Sequence, residues 1–219
     1  MKLIERSKCP YCEEIKFNSL YKKNYNSKIL QLFLHKYYKN DEINNILKSN
    51  IYEITECIKC NGLFQKYIPD ENLSYFLYEK LIPSDESFNK KKNVIHTNIK
   101  EYSLDAEIIK NLLNKKNNEI KILEFGSGWG FWAKFMKELN FDVEAVEISE
   151  SRINHLNKNN IKNYKIINET NKKYDIIFSN QALEHISYPL QTIRELYDKL
   201  EDNGAMFHKF PSSFLFKKK

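Results

Sequence analysis

Residues 123–133 read LEFGSGWGFWA, and this stretch decides the fold. Gly126, Gly128 and Gly130 stand at alternate positions directly after a short apolar run that includes Ile122 and Leu123. Such a run, Ile120 to Phe125, is a buried strand, and Trp129 to Leu139 reads as a helix. A glycine loop between a strand and a helix brings backbone amides close to a ligand. The spacing is not that of the dinucleotide fingerprint G-x-G-x-x-G, because Phe131 occupies the position where a small residue is required.

Outward from this loop the pattern alternates. Phe141 to Ile148 reads as a strand, Glu150 to Asn159 as a helix, and Tyr164 to Ile167 as a short strand. Tyr174 to Ser179 is a buried strand, Pro189 to Leu200 a helix stopped at Asn203-Gly204, and Ala205 to Phe210 a last strand. Strands alternating with helices predict an α/β fold with a parallel sheet covered on both faces. Ligands on such sheets bind at the carboxyl ends of the strands.

Two acids refine the choice of ligand. Glu124 ends the first strand, beside the loop where a pyrophosphate would otherwise lie. An anion there opposes a phosphate and favours a cation. S-adenosylmethionine carries an ammonium and a sulfonium and no phosphate, so Glu124 with Gly126, Gly128 and Gly130 favours that cofactor. Glu147, followed by Ile148 in VEAVEIS, ends the next strand, where an acid accepts hydrogen bonds from ribose hydroxyls. Glu147 indicates a nucleoside without choosing between NAD and S-adenosylmethionine. Asn180 and Gln181, past the strand YDIIFS, are candidates to meet the cofactor or the acceptor by hydrogen bonds.

The four cysteines all lie in the first third, as two C-x-x-C pairs: Cys9 with Cys12, and Cys57 with Cys60. Two such pairs offer four thiolates to one tetrahedral zinc ion. A redox role would not need a second pair. Between the pairs a single helix is expected over 28–48, with Ile29, Leu32, Phe33 and Leu34 on one side. Strands are expected over 51–56 and 63–68, and a helix capped by Asp70 runs to Leu81. Residues 84–93, SDESFNKKKN, are charged and without periodicity. The expected organisation is a zinc-ribbon-like domain over 1–83, a linker over 84–99, and the α/β domain over 100–219. The α/β domain opens with a helix from Ser103 or Asp105.

Composition sets limits. The chain has 219 residues, 42% hydrophobic, and a net charge of +6, with only Arg6, Arg152 and Arg194 as arginines. Arginine is the residue suited to bidentate phosphate contacts, so its scarcity argues against a nucleic-acid partner despite the positive charge. No apolar run reaches the length of a membrane span. The N-terminus has no secretory pattern, so a cytoplasmic location is expected.

The segments ILEFGSGWG, VEAVEIS and YDIIFSNQALEHISYP resemble class I S-adenosylmethionine-dependent methyltransferases. CPYC and CIKCNGLFQKYIPDENL resemble the zinc-binding segment that precedes this domain in a bacterial subgroup acting on sugars and other small molecules. The resemblance implies a Rossmann-like methyltransferase sheet, zinc on the four cysteines, and a small-molecule or sugar acceptor. A ribosomal or transfer RNA acceptor is the alternative. The family fold continues past its fifth strand with a helix and an antiparallel strand pair. Those have no counterpart here, so the sheet is expected to be shortened, and a non-catalytic binding protein is a third reading. The aromatic tail FHKFPSSFLFKKK would then be its sticky element, if the missing strands leave a sheet edge exposed. Methyl transfer to a hydroxyl benefits from a general base, and His185 in LEHISYP is the candidate.

Overall fold

The structure is a computed structural model that describes residues 1–38 and 40–211. The last eight residues of the aromatic tail lie outside the described residues. The chain divides into two compact units, one ending at Ser87 and one beginning at Phe88.

The first unit contains β1 (Leu3–Glu5), β2 (Phe17–Asn24), α1 (Lys28–Tyr38), α2 (Glu42–Leu47), β3 (Ile51–Cys57), β4 (Leu63–Gln65), β5 (Tyr67–Pro69) and α3 (Glu71–Tyr75). β2, β3 and β4 form an antiparallel sheet, and β1 pairs with β5. On β3, Glu53, Thr55 and Cys57 turn inward at strand periodicity. The single helix expected over 28–48 is two helices. Its expected apolar face is also corrected: Leu34 is buried, whereas Ile29, Leu32 and Phe33 are exposed. The buried stripe is Leu30, Leu34 and Tyr38, four residues apart, packing with Tyr25, Ile43, Leu47, Leu73 and Leu81. Asp70 caps α3 as expected, its carboxylate accepting from the Leu73 N–H at 2.8 Å. The chain then continues as a π-helical turn, Phe76–Lys80.

Helix α4 (Ser84–Asn93) replaces the expected irregular linker. Its charges explain the helix: Asp85 and Glu86 lie in the first turn and Lys90, Lys91 and Lys92 in the last, opposite in sign to the two ends of the helix dipole. Phe88 anchors it, with its ring centroid 5.0 Å from Trp129, 5.7 Å from Phe131 and 5.1 Å from His155. Helix α5 (Ile95–Leu113) likewise begins eight residues before Ser103.

The second unit continues with β6 (Lys121–Phe125), α6 (Phe131–Glu138), β7 (Asp142–Val146), α7 (Glu150–Lys158), β8 (Lys162–Tyr164), β9 (Tyr174–Asn180), α8 (Pro189–Tyr197) and β10 (Leu200–Lys209). The five strands form one parallel sheet in the order β10-β9-β6-β7-β8. Strand order reverses at β6, so the carboxyl ends of β6, β7 and β9 flank the crevice where such sheets bind ligands. Asn203-Gly204 is not a stop: β10 starts at Leu200 and loses its register between Leu200 and Ala205. One face of the sheet packs Ile122, Val143, Ala145, Ile176 and Phe178 against residues of α5, α6 and α7. The other packs Leu123, Val146 and Ile177 against Leu183 and Leu196.

Buried charges tie these layers. Asp105 on α5 is 1% exposed; it accepts from Trp132 Nε1 at 3.0 Å and pairs with Lys209 at 2.7 Å. Trp132 stacks on Phe178, centroids 3.8 Å apart. Removing Asp105 leaves the Trp132 N–H without its acceptor, while Lys209 keeps Glu101 at 2.7 Å, so Asp105→Ala is expected to cost about 1–3 kcal/mol in urea unfolding. On the opposite face Glu144 accepts from Tyr164 at 2.8 Å and Tyr174 at 2.7 Å, and pairs with Lys172. Burial pushes the Glu144 carboxyl up, but Lys172 and the two tyrosines outweigh it and hold it below the usual carboxylate range. A depressed folded-state pKa stabilises above the unfolded value and is lost as pH falls through the folded one. Glu144→Gln is therefore expected to remove part of the acid-induced loss of stability below about pH 4, read by denaturant titration across pH.

Candidate functional site

The glycine loop runs from β6 into α6 and is held by β7: the N–H groups of Gly126 and Ser127 donate to the Val146 carbonyl at 2.9 and 3.2 Å. All three glycines have positive φ, between 57° and 69°. Their surroundings differ. A Cβ at Gly130 would lie 2.3 Å from Leu156 Cδ2, and one at Gly126 2.5 Å from the Ala182 Cβ. A Cβ at Gly128 would meet nothing within 4 Å. Gly130 and Gly126 therefore serve close packing, while Gly128 faces open space. Gly130→Ala is expected to destabilise the fold by about 1–3 kcal/mol through overpacking and strain. Gly128→Ala carries the strain of its positive φ but no clash, so it is expected to destabilise less than Gly130→Ala and to weaken nucleoside binding; thermal melts and calorimetric titration separate the two.

Glu124 is 5% exposed and lies under the start of α6, where the Ala133 N–H is a hydrogen-bond donor to it. Burial raises the carboxyl well above its ordinary range; the Ala133 N–H opposes this and the charge of Glu147 adds to it. Its Oε2 is buried without a hydrogen-bond partner, and so is Ser127 Oγ in the loop itself. Two unpartnered buried oxygens beside an open glycine call for a ligand with donor groups and positive charge.

Glu147 is buried just past β7 and its carboxylate is engaged. Oε2 accepts from the Gly128 N–H at 2.7 Å, and Oε1 accepts from the N–H groups of Ile148 and Ser149, each at 3.0 Å. Arg152 Nη1 lies 3.7 Å from Oε1. The Ile148 side chain is 69% exposed. Asn180 ends β9 and is exposed. The next residue, Gln181, has a left-handed φ of 51°, and its N–H donates to the Lys209 carbonyl at 2.9 Å. His185 lies on the 3-10 turn Leu183–His185, with its side chain 58% exposed and 4.0 Å from the Glu184 carboxylate.

Sequence reading missed the aromatic wall beside the loop. His155 lies within hydrogen-bond distance of the Trp129 carbonyl at 2.8 Å, and Arg152 lies 6.0 Å from the Trp129 ring. The one available signal was Phe88, a lone aromatic in a run of charges. It also missed the contact between Ser179 and His208.

In the first unit Cys9, Cys12, Cys57 and Cys60 converge, with all four sulfurs within 4.8 Å of one another. Cys9 Sγ lies 3.7 Å from Cys60 Sγ, and Cys12 Sγ lies 3.5 Å from Cys57 Sγ. Zinc–sulfur bonds of about 2.3 Å in a tetrahedron place sulfurs roughly 3.8 Å apart, so the spacing fits one ion. Burial pushes the Cys9 thiol up to about 12. Burial works against ionisation of Cys57 too, but the N–H groups of Cys60 and Lys59 bring it down to about 7.

A family model for a methyltransferase domain matches residues 96–218, more than half of the chain. The chain belongs to this methyltransferase family. The ubiquinone biosynthesis O-methyltransferase of Pelagibacter ubique (strain HTCC1062) is 30% identical over 103 residues, covering 43% of each chain. Among solved structures, the plantazolicin methyltransferase BpumL in complex with SAH (S-adenosylhomocysteine) aligns with a TM-score of 0.52 at 19% identity. It covers 62% of this chain and 56% of that one. A second BpumL complex, with a triazolic desmethylPZN analog and SAH, gives 0.51 at 18% identity, covering 62% and 54%. The match thus spans about half the length of these relatives. The structural likeness establishes the Rossmann-like methyltransferase fold of the second unit. No described helix of the chain is long and apolar enough to cross a membrane.

Proposed function

We propose that the methyltransferase unit binds S-adenosylmethionine at the glycine loop and transfers its methyl group to a small-molecule or sugar acceptor. The observation that carries this reading is the buried, unpartnered Glu124 Oε2 beside the open face of Gly128. The names of the relatives support the same chemistry, and the scarcity of arginine supports a small acceptor over RNA.

The cofactor supplies an electrophilic methyl group; the chain supplies alignment and a dry environment. Glu124 faces the cationic end. Glu147 holds the ribose by exchanging the Gly128 N–H for a hydroxyl donor. Gly128 lets the backbone approach, and Ile148 and Asn180 flank the nucleoside and the amino-acid end. His185 stands at the solvent edge, where it can accept a proton from an entering acceptor. The four cysteines hold a structural zinc ion that closes the sheet of the first unit. Zinc ligation by four thiolates, in place of disulfides, suits a reducing compartment such as the cytoplasm.

Calorimetric titration with S-adenosylmethionine is the test. Micromolar binding that is insensitive to salt supports the proposal. Folded, metal-loaded protein that binds neither S-adenosylmethionine nor S-adenosylhomocysteine would sink it. RNA binding that falls steeply with salt would move the acceptor to nucleic acid.

A further inference from the structure

The carboxyl end of β9 carries a polar pair that the reading above does not use. Ser179 is 1% exposed, and its hydroxyl lies 2.8 Å from His208 Nδ1, across the rung that pairs these residues on β9 and β10. His208 Nε2 is buried and has no hydrogen-bond partner. Buried polar atoms in folded proteins are almost always partnered, so an orphan marks a place where a ligand atom is expected. An unmet acceptor is tolerated more often than an unmet N–H. The favoured tautomer therefore has Nδ1–H donating to Ser179 Oγ and a bare lone pair on Nε2.

The position suits an acceptor site. Glu124 pairs with Phe178 on β9, so Ser179 and His208 lie one residue further toward the carboxyl ends and, at strand periodicity, project from the face opposite Glu124, so that they meet a ligand only across the ends of the strands. β10 is two strand spacings, roughly 10 Å, from β6 and its glycine loop. The left-handed Gln181 turns the chain just past this pair, and non-glycine residues held in that conformation gather at functional sites. His185 differs: its side chain is mostly in solvent.

We infer that His208 is a catalytic residue whose Nε2 takes the proton from a hydroxyl acceptor, with Ser179 as the positioning residue that fixes Nδ1. The inference rests on the S-adenosylmethionine reading above. As the acceptor oxygen forms its bond to the methyl carbon, the carbon–sulfur bond breaks and its electron pair stays on sulfur. The hydroxyl proton passes to Nε2. The products are a methyl ether, S-adenosylhomocysteine and an imidazolium whose Nδ1–H still donates to Ser179; the proton then leaves to water.

The electrostatic surroundings of His208 are simple. Burial holds its imidazole below the ordinary histidine range, so at pH 7 it is neutral and its Nε2 lone pair is unprotonated. Lys209 reaches Glu101 and Asp105, and the Glu184 carboxylate lies 4.0 Å from His185.

The test needs no acceptor. Nitrogen-resolved spectra of the full chain, with the His208 signals assigned through H208Q, are recorded across pH with S-adenosylmethionine and with S-adenosylhomocysteine bound. The two ligands differ by one methyl group and one positive charge. A sulfonium close to Nε2 is expected to lower the His208 titration midpoint by about 0.5 pH or more relative to the thioether. The Nδ1–H tautomer is expected in the wild type and is lost in S179A. An Nε2–H tautomer in the wild type, equal midpoints with the two ligands, or a sulfonium effect at His185 alone overturns the inference while cofactor binding stands. Absence of binding by either ligand overturns the functional reading itself.

Discussion

Glu124→Gln is expected to weaken S-adenosylmethionine binding by about 10²-fold while leaving the free protein as stable as the wild type or more so. The two effects share one cause. The Glu124 carboxyl is buried and one of its oxygens has no partner, so its charged form is disfavoured and its pKa stands well above the usual range. An acid whose pKa is raised by folding loses stability as pH climbs above its unfolded value, about 4.3. The uncharged amide avoids that cost. A cation in the site reverses the balance: a charge-assisted contact to a carboxylate contributes about 1.5–3 kcal/mol, and the amide cannot supply it. Binding must then ionise Glu124 wherever it is protonated in the free protein. At pH values where the free carboxyl is still protonated the wild type is expected to release a proton on binding, with affinity rising with pH until that carboxyl is ionised. Calorimetry in buffers of different ionisation enthalpy reads this release directly. Affinity of the Gln variant equal to that of the wild type, with no proton release in either, would remove Glu124 from the site.

The second large effect concerns the cysteines. Cys57→Ser, or stripping the metal with a chelator, is expected to unfold the sheet of the first unit. Cys57 ends β3, and together with Cys9 and Phe64 it makes a small buried cluster of its own. The apolar support there is slight, because β2 is exposed along nearly its whole length. Structural zinc sites contribute apparent binding free energies on the order of 10 kcal/mol or more, and that energy is folding energy. Loss of the metal therefore exceeds what this cluster can replace. Metal analysis of purified protein, followed by circular dichroism and proteolysis before and after chelation, checks it. A chelated protein with unchanged protection of residues 17–65 would show that the thiols pack without an ion.

Much of the second unit was legible in the sequence because local signals agree there. Apolar runs, a glycine loop and terminal acids all point to the same parallel sheet, and buried strands such as β9 leave little choice of period. The convergence of Cys9, Cys12, Cys57 and Cys60 was legible for the same reason, since paired spacing is a local pattern. Helix faces near the surface were not. Leu30 and Leu34 bury while Ile29, Leu32 and Phe33 do not, because the partners that select a face, Ile43, Leu47 and Leu73, come from distant sequence. Helix α4 was hidden because its stability comes from end charges and from one aromatic, not from a repeating apolar stripe. Ser179 and His208 were invisible for a topological reason. They are 29 residues apart and meet only through the register of β9 against β10.

The bond from the Gly128 N–H to Glu147 has a consequence for selectivity. On the proposed reading of Glu147 as the ribose-binding acid, the protein's own amide serves as an understudy for a sugar hydroxyl before any nucleoside arrives. A ligand with both hydroxyls replaces it, and one lacking them simply leaves it in place, so no lone pair is stranded by the imperfect guest. Discrimination against deoxygenated analogues is accordingly gentler than a bare carboxylate would enforce.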